Sequence, residues 1–404
     1  MKPSSLLPPE IDDPLLDSAA QLEESARALD LEDWIVQRLK HPDREMTVNL
    51  PLPRDTGALT CTAFRVQHLR AHGPCIGPVR LAPDAHLAQL RSVALDLTLQ
   101  CALLDLPLGG SAGAIVCDPA QFTERELRHL VRHYLAALDL HNDIFAPSQF
   151  IAAWTSASRH LQAAALVARP AILGGLPNPA AAIAAGWFTL VSEARATSHQ
   201  PLTTVSIQGF SAAATALATL LQSSGARIVG LADKSGGLFS EHGLDLAAVS
   251  AHTSQTGMLY GFSEADPVNN SEILASSCDL LVLAAAERQL NAQNAARVQA
   301  PMVLEAVSGA VTPAAMSHLS SRRITVIPAL LGVGPRTLAW FAEWQSGLRY
   351  EAPEQSATES LIRHKLADVL CRAQSSAALN RIPLPDACRR LALEKLAAVL
   401  RLLH

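Results

Sequence analysis

From about residue 175 onward, short and continuously apolar runs alternate with helical stretches, and no other feature constrains the fold as tightly. The runs are TTVSIQGF (203–210), RIVGLAD (227–233), DLLVLAA (279–285), PMVLEAV (301–307) and ITVIPAL (324–330). A strand with one wet face alternates apolar and polar residues. A strand apolar on both faces must be covered on both, as crossover helices cover a parallel sheet. Helical stretches fill the intervals: AAAIAAGWFTLVSEARA (180–196) leads into the first run, and residues 212–224 follow it. The expected fold class is α/β, with a doubly wound, Rossmann-like domain over 175–345.

The first half reads differently. Residues 1–15 are Pro-rich and expected to form a flexible tail. One helix is expected over 16–40, capped at Asp17 or Ser18. MTVNLPLP and LTCTAFRVQHLR alternate about the turn RDTG (54–57), a hairpin pattern. A helix over 86–105 follows, then the glycine-bearing loop LPLGGSAG (106–113) and a short buried strand, AIVCDP (114–119). Next come a helix opened by the capping box TERE (123–126) and another at about 149–165. These elements make an N-terminal α/β domain over 16–174. The stretch 346–404 holds two helices, broken at IPLP (382–385), expected to fold back on the first domain.

Composition excludes several classes of function. A formal charge of −5 leaves no basic footprint, so nucleic acid is not an expected partner. No stretch is long and apolar enough to suggest a membrane span, and the N-terminus carries acids early, unlike a secretory signal. The seven cysteines show no CxxC spacing and fit reduced thiols in a cytoplasmic protein. His129 and His133 are four apart on a helix, but no further ligand is evident and no metal is expected. Only five of the 32 basic residues are lysines, with none between Lys40 and Lys234. That span offers no lysine amine as a base or anchor.

Ten strings, in order, carry a resemblance: FRVQH (64–68), GPCIGPVRLAPD (73–84), LDLPLGG (104–110), NDIFAPS (142–148), VSIQGF (205–210), ADKSGGLFSEHGLD (232–245), CDLLVLAAAE (278–287), EAVSGAVTP (305–313), IPALL (327–331) and AEWQSGL (342–348). Together the chain resembles the glutamate/leucine/phenylalanine/valine dehydrogenase family, and within it the glutamate dehydrogenases. The resemblance implies a substrate domain, a dinucleotide domain and a hexamer.

It also implies a site that this chain lacks. Oxidative deamination needs cationic anchors for substrate carboxylates, a lysine of lowered pKa and a proton-shuttling acid. The family supplies them from GPxKGG, WKCA, GGxKGG and PAPD; the matching residues here are Ile76, Gln100, Ala112 and Ser148. Where the family has a small hydroxyl residue on the far wall, this chain aligns Trp340. Ile183 and Ala185 replace a hydroxyl and an arginine, and Ser308 and Val333 replace two asparagines. In the family's GFGNVG, Gly209 is kept, but the second glycine is Ser211, whose Cβ obstructs approach to a pyrophosphate. Asp233, 24 residues after Gly209, either binds a ribose hydroxyl or caps the turn DKSGG. Arg80 either holds a structural salt bridge or touches substrate. No catalytic residue and no bound cofactor are therefore expected, with NAD or NADP binding weak or lost. The expected role is a catalytically inactive regulatory subunit that assembles with an active glutamate dehydrogenase paralogue and mediates allosteric control, with leucine a possible effector. An amino-acid dehydrogenase-like enzyme of altered chemistry and an amino-acid sensor are the alternatives.

Overall fold

The computed structural model describes residues 14–54, 57–138, 142–157, 165–198 and 202–403. The helix expected over 16–40 is two helices, α1 (Pro14–Ala28) and α2 (Asp33–Lys40). The break falls where Asp30 takes a left-handed φ of 49°, and Leu29 and Leu31 on either side turn into the core. Asp17 and Ser18, expected as caps, lie inside α1. The hairpin pattern yields β1 (Arg44–Arg54) and β2 (Gly57–Gln67), antiparallel in full register; Asp55 and Thr56 of its turn lie outside the described residues.

Strand β3 (Cys75–Leu81) leads to α3 (Leu87–Leu103), whose first turn is capped by the His86 imidazole. The glycine-bearing segment is mostly not a loop. From Gly109 it is strand β4 (Gly109–Ile115), every residue of it buried. A Cβ on Gly110 would stand 2.1 Å from the Ala94 carbonyl oxygen and 2.5 Å from the Thr98 nitrogen. The glycine lets α3 lie directly on the strand. Helix α4 (Glu124–Ala137) starts at the expected capping box, with both reciprocal bonds between Thr123 and Glu126 made. Strand β5 (Asp143–Pro147) and α5 (Ile151–Ala157) follow; the expected helix to 165 runs beyond the described residues after Ala157. The sheet order is β1-β2-β4-β3-β5. Its two outer pairings at β1 and β2 are antiparallel, and β4, β3 and β5 run parallel. Arg65 and Asp143 pair within it, both side chains fully buried, and Ser111 joins them at 2.7 Å from the guanidinium.

The second sheet starts after α6 (Pro179–Ser198). In chain order come β6 (Thr204–Gln208), α7 (Ala212–Ser223), β7 (Arg227–Asp233), β8 (Gly236–Phe239), α8 (Leu246–Thr256) and β9 (Asp266–Val268). Then follow α9 (Asn270–Leu274), β10 (Leu280–Leu283), β11 (Met302–Glu305), α10 (Pro313–Ser321) and β12 (Thr325–Ile327). The order β12-β11-β10-β6-β7-β8-β9 reverses at β6, the switch point of a doubly wound sheet. The five apolar runs are the five parallel strands. β8 and β9 add an antiparallel edge that their short, mixed sequences did not announce.

Helices α11 (Ala329–Gly332), α12 (Gly334–Leu348), α13 (Gln355–Asn380) and α14 (Leu384–Leu403) complete the chain, with the break at Arg381–Pro383 as expected. α13 packs on α6, whereas α14 returns to α1 and α3 of the first domain. One apolar cluster therefore runs from Leu22 and Ile76 through Trp187, Leu338 and Leu393 to Val205 and Ile207. Among the described residues no helix is long and apolar enough to cross a membrane.

Candidate functional site

Ile76 and Ala112 lie on adjacent strands of the first sheet, Ser148 just past a third, and Gln100 on the helix that packs on them. β3 and β4 are parallel neighbours, with Ile76 opposite Gly110. Ala112 pairs with Val66 and sits in a small apolar cluster with Leu90 and Ala94 of α3. Ile76, fully buried, belongs to the cluster that spans the molecule. Neither position holds a titratable group, and each is a dry hydrocarbon contact. Ser148, just past β5, is exposed, and its amide and hydroxyl both donate to the Val79 carbonyl, at 3.2 and 3.4 Å.

Gln100 does more than fill a place. Its side chain crosses from α3 to the second domain, where Nε2 donates to the carbonyls of Leu330 at 3.1 Å and Ala329 at 3.4 Å. The Thr337 hydroxyl donates to its Oε1, so both the nitrogen and the oxygen of the carboxamide bond across this seam. Only 3% of Gln100 is exposed and Thr337 is fully buried. These bonds are sheltered from water and join the walls of the domain junction.

Two further features narrow the junction. Trp340 on α12 is half-buried and packs against the spanning cluster. Glu343, one turn on, accepts from the backbone nitrogens of Ala168 and Arg169, both at 3.0 Å, and from the Arg169 guanidinium at 3.2 Å. Burial pushes its acid up, against the pull of Arg169. Glu305, at the end of β11, is likewise pushed up by burial to about 7, while accepting from Val311 and Ala329 at 2.9 and 3.1 Å. Both carboxylates tether backbone at the domain junction.

The turn after β6 needs its glycine, and a serine caps the helix that follows. Gly209 has φ +114°, and a Cβ there would meet the Ala284 carbonyl at 2.6 Å, so β6 and β10 need this glycine. Ser211 is the N-cap of α7, and its hydroxyl accepts from the Ala214 nitrogen at 3.3 Å. That nitrogen belongs to the group of free helix-start donors that a pyrophosphate would engage. Asp233 is committed as well. Its Oδ1 accepts from the Ser235 nitrogen at 2.6 Å and from the Ser235 hydroxyl, and Oδ2 accepts from the Leu259 nitrogen at 2.9 Å. These bonds cap the turn DKSGG.

Other singled-out residues have simpler surroundings. Among the described residues, Arg80 bonds the Gln89 carboxamide, not a carboxylate, which corrects the expected salt bridge. The rings of His129 and His133 lie 4.0 Å apart, and burial, with His129 and Arg132 beside it, lowers the His133 pKa. Among the described residues no group of three or more His, Cys, Asp and Glu could hold a metal ion. Sequence reading passed over Arg336, in the first turn of α12 and four residues before Trp340. Burial lowers its pKa, and no hydrogen bond or ion pair is made to its guanidinium among the described residues. Its signal was available: an arginine in the otherwise uncharged run ALLGVGPRTLAWFA.

Comparison with known proteins follows the same outline. Residues 174–401 match the Glutamate/Leucine/Phenylalanine/Valine dehydrogenase family, and residues 42–154 its dimerisation domain. The catabolic NAD-specific glutamate dehydrogenase RocG of Bacillus subtilis is 31% identical over 357 residues, 84% of each chain. The NADP-specific glutamate dehydrogenase of Synechocystis is also 31% identical, over 84% of this chain and 86% of its own. Among solved structures, the hetero-hexameric glutamate dehydrogenase of Thermus thermophilus, in a leucine-bound form, superposes with a TM-score of 0.90. It is 29% identical and covers 99% of both chains.

Proposed function

The chain belongs to the glutamate/leucine/phenylalanine/valine dehydrogenase family, and from that premise we propose that it is a catalytically silent, regulatory subunit of a hetero-oligomeric glutamate dehydrogenase. It assembles with an active paralogue and passes to it the state of an amino-acid effector, leucine being the first candidate. It holds NAD or NADP weakly or not at all. The observation that carries the reading is a seam where the family resemblance implies charged groups. Hydrocarbon stands at Ile76 and Ala112, and Gln100 ties the two walls together. Four chemical groups are lost from four separate segments, and each is of a kind worth orders of magnitude in rate. The Thermus thermophilus relative, which is hetero-hexameric, supplies a precedent for assembly with an unlike subunit. A silent subunit can bias its neighbours when the effector prefers one of two states.

Co-expression with an intact glutamate dehydrogenase from the same genome tests the reading. The two chains are expected to co-purify, and the active enzyme's response to leucine to change in the presence of this chain. Failure on both counts overturns it. One observation favours a second reading, an amino-acid dehydrogenase-like enzyme of altered chemistry or a sensor: the half-buried guanidinium of Arg336, without a partner among the described residues, could still hold a small carboxylate. A steady-state screen of amino acids with NAD and NADP decides for an enzyme if turnover appears and disappears with Arg336→Leu.

A further inference from the structure

Two of the seven cysteines face each other across the first sheet. β2 and β4 are antiparallel with Ala63 opposite Ile115, and the Val116 nitrogen, just past β4, donates to the Thr62 carbonyl at 2.8 Å. One step further along that register sets Cys61 opposite Cys117. The bonds between these strands fall on even residues of β2, since the His68 nitrogen likewise donates to the Gly110 carbonyl at 2.8 Å. Cys61 is therefore at a non-hydrogen-bonded position, where facing Cα atoms are only about 4.5 Å apart. Disulfides span Cα separations of about 4.4–6.8 Å. Side chains alternate along a strand, and Ala63, Ile115, Cys61 and Cys117 all belong to the apolar cluster that α4 covers with Leu127 and Leu130, so the two thiols share one face.

Burial keeps both as thiols. Desolvation pushes the Cys117 thiol up to about 12, with the nearby Cys61 and Asp118 adding to the rise. Desolvation also raises Cys61, but there Arg54 pulls the other way, so Cys61 is the better source of thiolate. The two are 4% and 6% exposed, whereas Cys75, Cys101 and Cys388 are sealed completely. They lie at the end of the sheet where Thr60 and the start of β2 open to solvent. Such a place suits a small neutral oxidant. We propose that Cys61 and Cys117 are a modification site, a dithiol that a hydroperoxide converts to a cross-strand disulfide. The Cys61 thiolate attacks one peroxide oxygen, the O–O bond breaks, and hydroxide departs from a Cys61 sulfenic acid. The Cys117 sulfur then attacks the Cys61 sulfur, its proton joins the departing hydroxide, and water leaves. The two thiols lose two electrons in all, and one hydrogen peroxide is reduced to two waters. The small thiolate fraction makes the reaction slow, so the link records lasting exposure to oxidant and not a brief pulse. It fastens β2, and with it the β1–β2 hairpin, to the parallel strands of the sheet.

Peptide mapping of the full chain tests the site, with Cys371→Ser removing the exposed thiol that would compete for oxidant. The chain is held in hydrogen peroxide, unfolded in urea with N-ethylmaleimide, and digested without reductant. The expected product is a peptide pair joined through Cys61 and Cys117, two hydrogens lighter than its parts and split by dithiothreitol. The oxidised chain should also unfold at higher urea than the reduced one, because the link confines the unfolded ensemble, and dithiothreitol should reverse the shift. Cys61→Ser and, separately, Cys117→Ala should abolish both the linked pair and the shift. Overturning results are recovery of both cysteines as maleimide adducts, either one found as sulfinic acid with no linked pair, or Cys61 joined to other cysteines as often as to Cys117.

Discussion

Replacing Gln100 with leucine cuts the seam between the domains while keeping most of the side-chain volume. Three hydrogen bonds are lost, two to the carbonyls of Ala329 and Leu330 and one from the Thr337 hydroxyl. A buried bond of this kind is worth about 1 kcal/mol net. The Ala329 carbonyl keeps the Val333 amide as a partner, so it is not stranded. The Thr337 hydroxyl is stranded unless it turns to its own helix. The expected loss is about 2–3 kcal/mol for Gln100→Leu and about 1 kcal/mol for Thr337→Val. Because the double variant removes both partners, it should cost less than the sum by about 1 kcal/mol, the coupling of a contacting pair. Urea denaturation followed by circular dichroism measures all four corners of the cycle. Hydrogen exchange at residues 329–337 should quicken in the Gln100 variant, since the seam no longer holds α11. Strict additivity, or a Gln100→Leu cost well under 1 kcal/mol, would refute the idea that this side chain fastens the domains.

Three other outcomes follow from the same geometry. His68 is buried, with Nε2 2.8 Å from the Leu39 carbonyl, and burial lowers its pKa from 6.5 to about 4. The unfolded chain then binds more protons than the folded one between those values, so stability is complete above pH 6.5 and falls as pH drops toward 4, by up to about 3 kcal/mol. His68→Gln should flatten that acid limb in denaturation midpoints collected from pH 4 to 7; an unchanged slope assigns it to other groups. Ser211→Gly removes the hydroxyl that occupies the α7 donors at a cost of a few tenths of a kcal/mol, and NADH affinity, read by fluorescence titration, should rise at least tenfold. No rise places the obstruction elsewhere. Asp143→Ala strands the Arg65 guanidinium in the core and should cost about 3–5 kcal/mol, whereas Arg65→Met with Asp143→Leu should recover much of it; equal losses for single and double variants count against a desolvated pair.

The five parallel strands were legible because covering a strand on both faces leaves one pattern, an unbroken apolar run. The capping box at Thr123 was legible for a similar reason, since two side chains reciprocally satisfy two backbone donors in a fixed spacing. Other elements were not. LPLGGSAG looked like a loop, because glycines weaken strand propensity; it is strand because Gly110 admits α3 against the backbone, a demand that arises only once the helix is in place. The break after Ala28 depends on Asp30 taking a left-handed conformation, and nothing in LDLED distinguishes it from helix. At the site, Ile76, Gln100, Ala112 and Ser148 were singled out by matching motifs. What Gln100 does instead could not be read, because its partners lie 229 and 230 residues away.

The return of α14 to α1 and α3 also sets the timing of the molecule's making. Between the end of α3 at Leu103 and the start of α14 at Leu384 the ribosome must add about 280 residues. At about 5–20 residues per second that takes roughly 15–60 seconds. Throughout that interval the side of α3 that α14 will cover stands bare on the nascent chain. The first domain thus completes its sheet early but waits for its lid until the last helix leaves the exit tunnel. Truncations that remove α14 should strand it in that state, with an apolar helix face open to chaperones or to another nascent subunit.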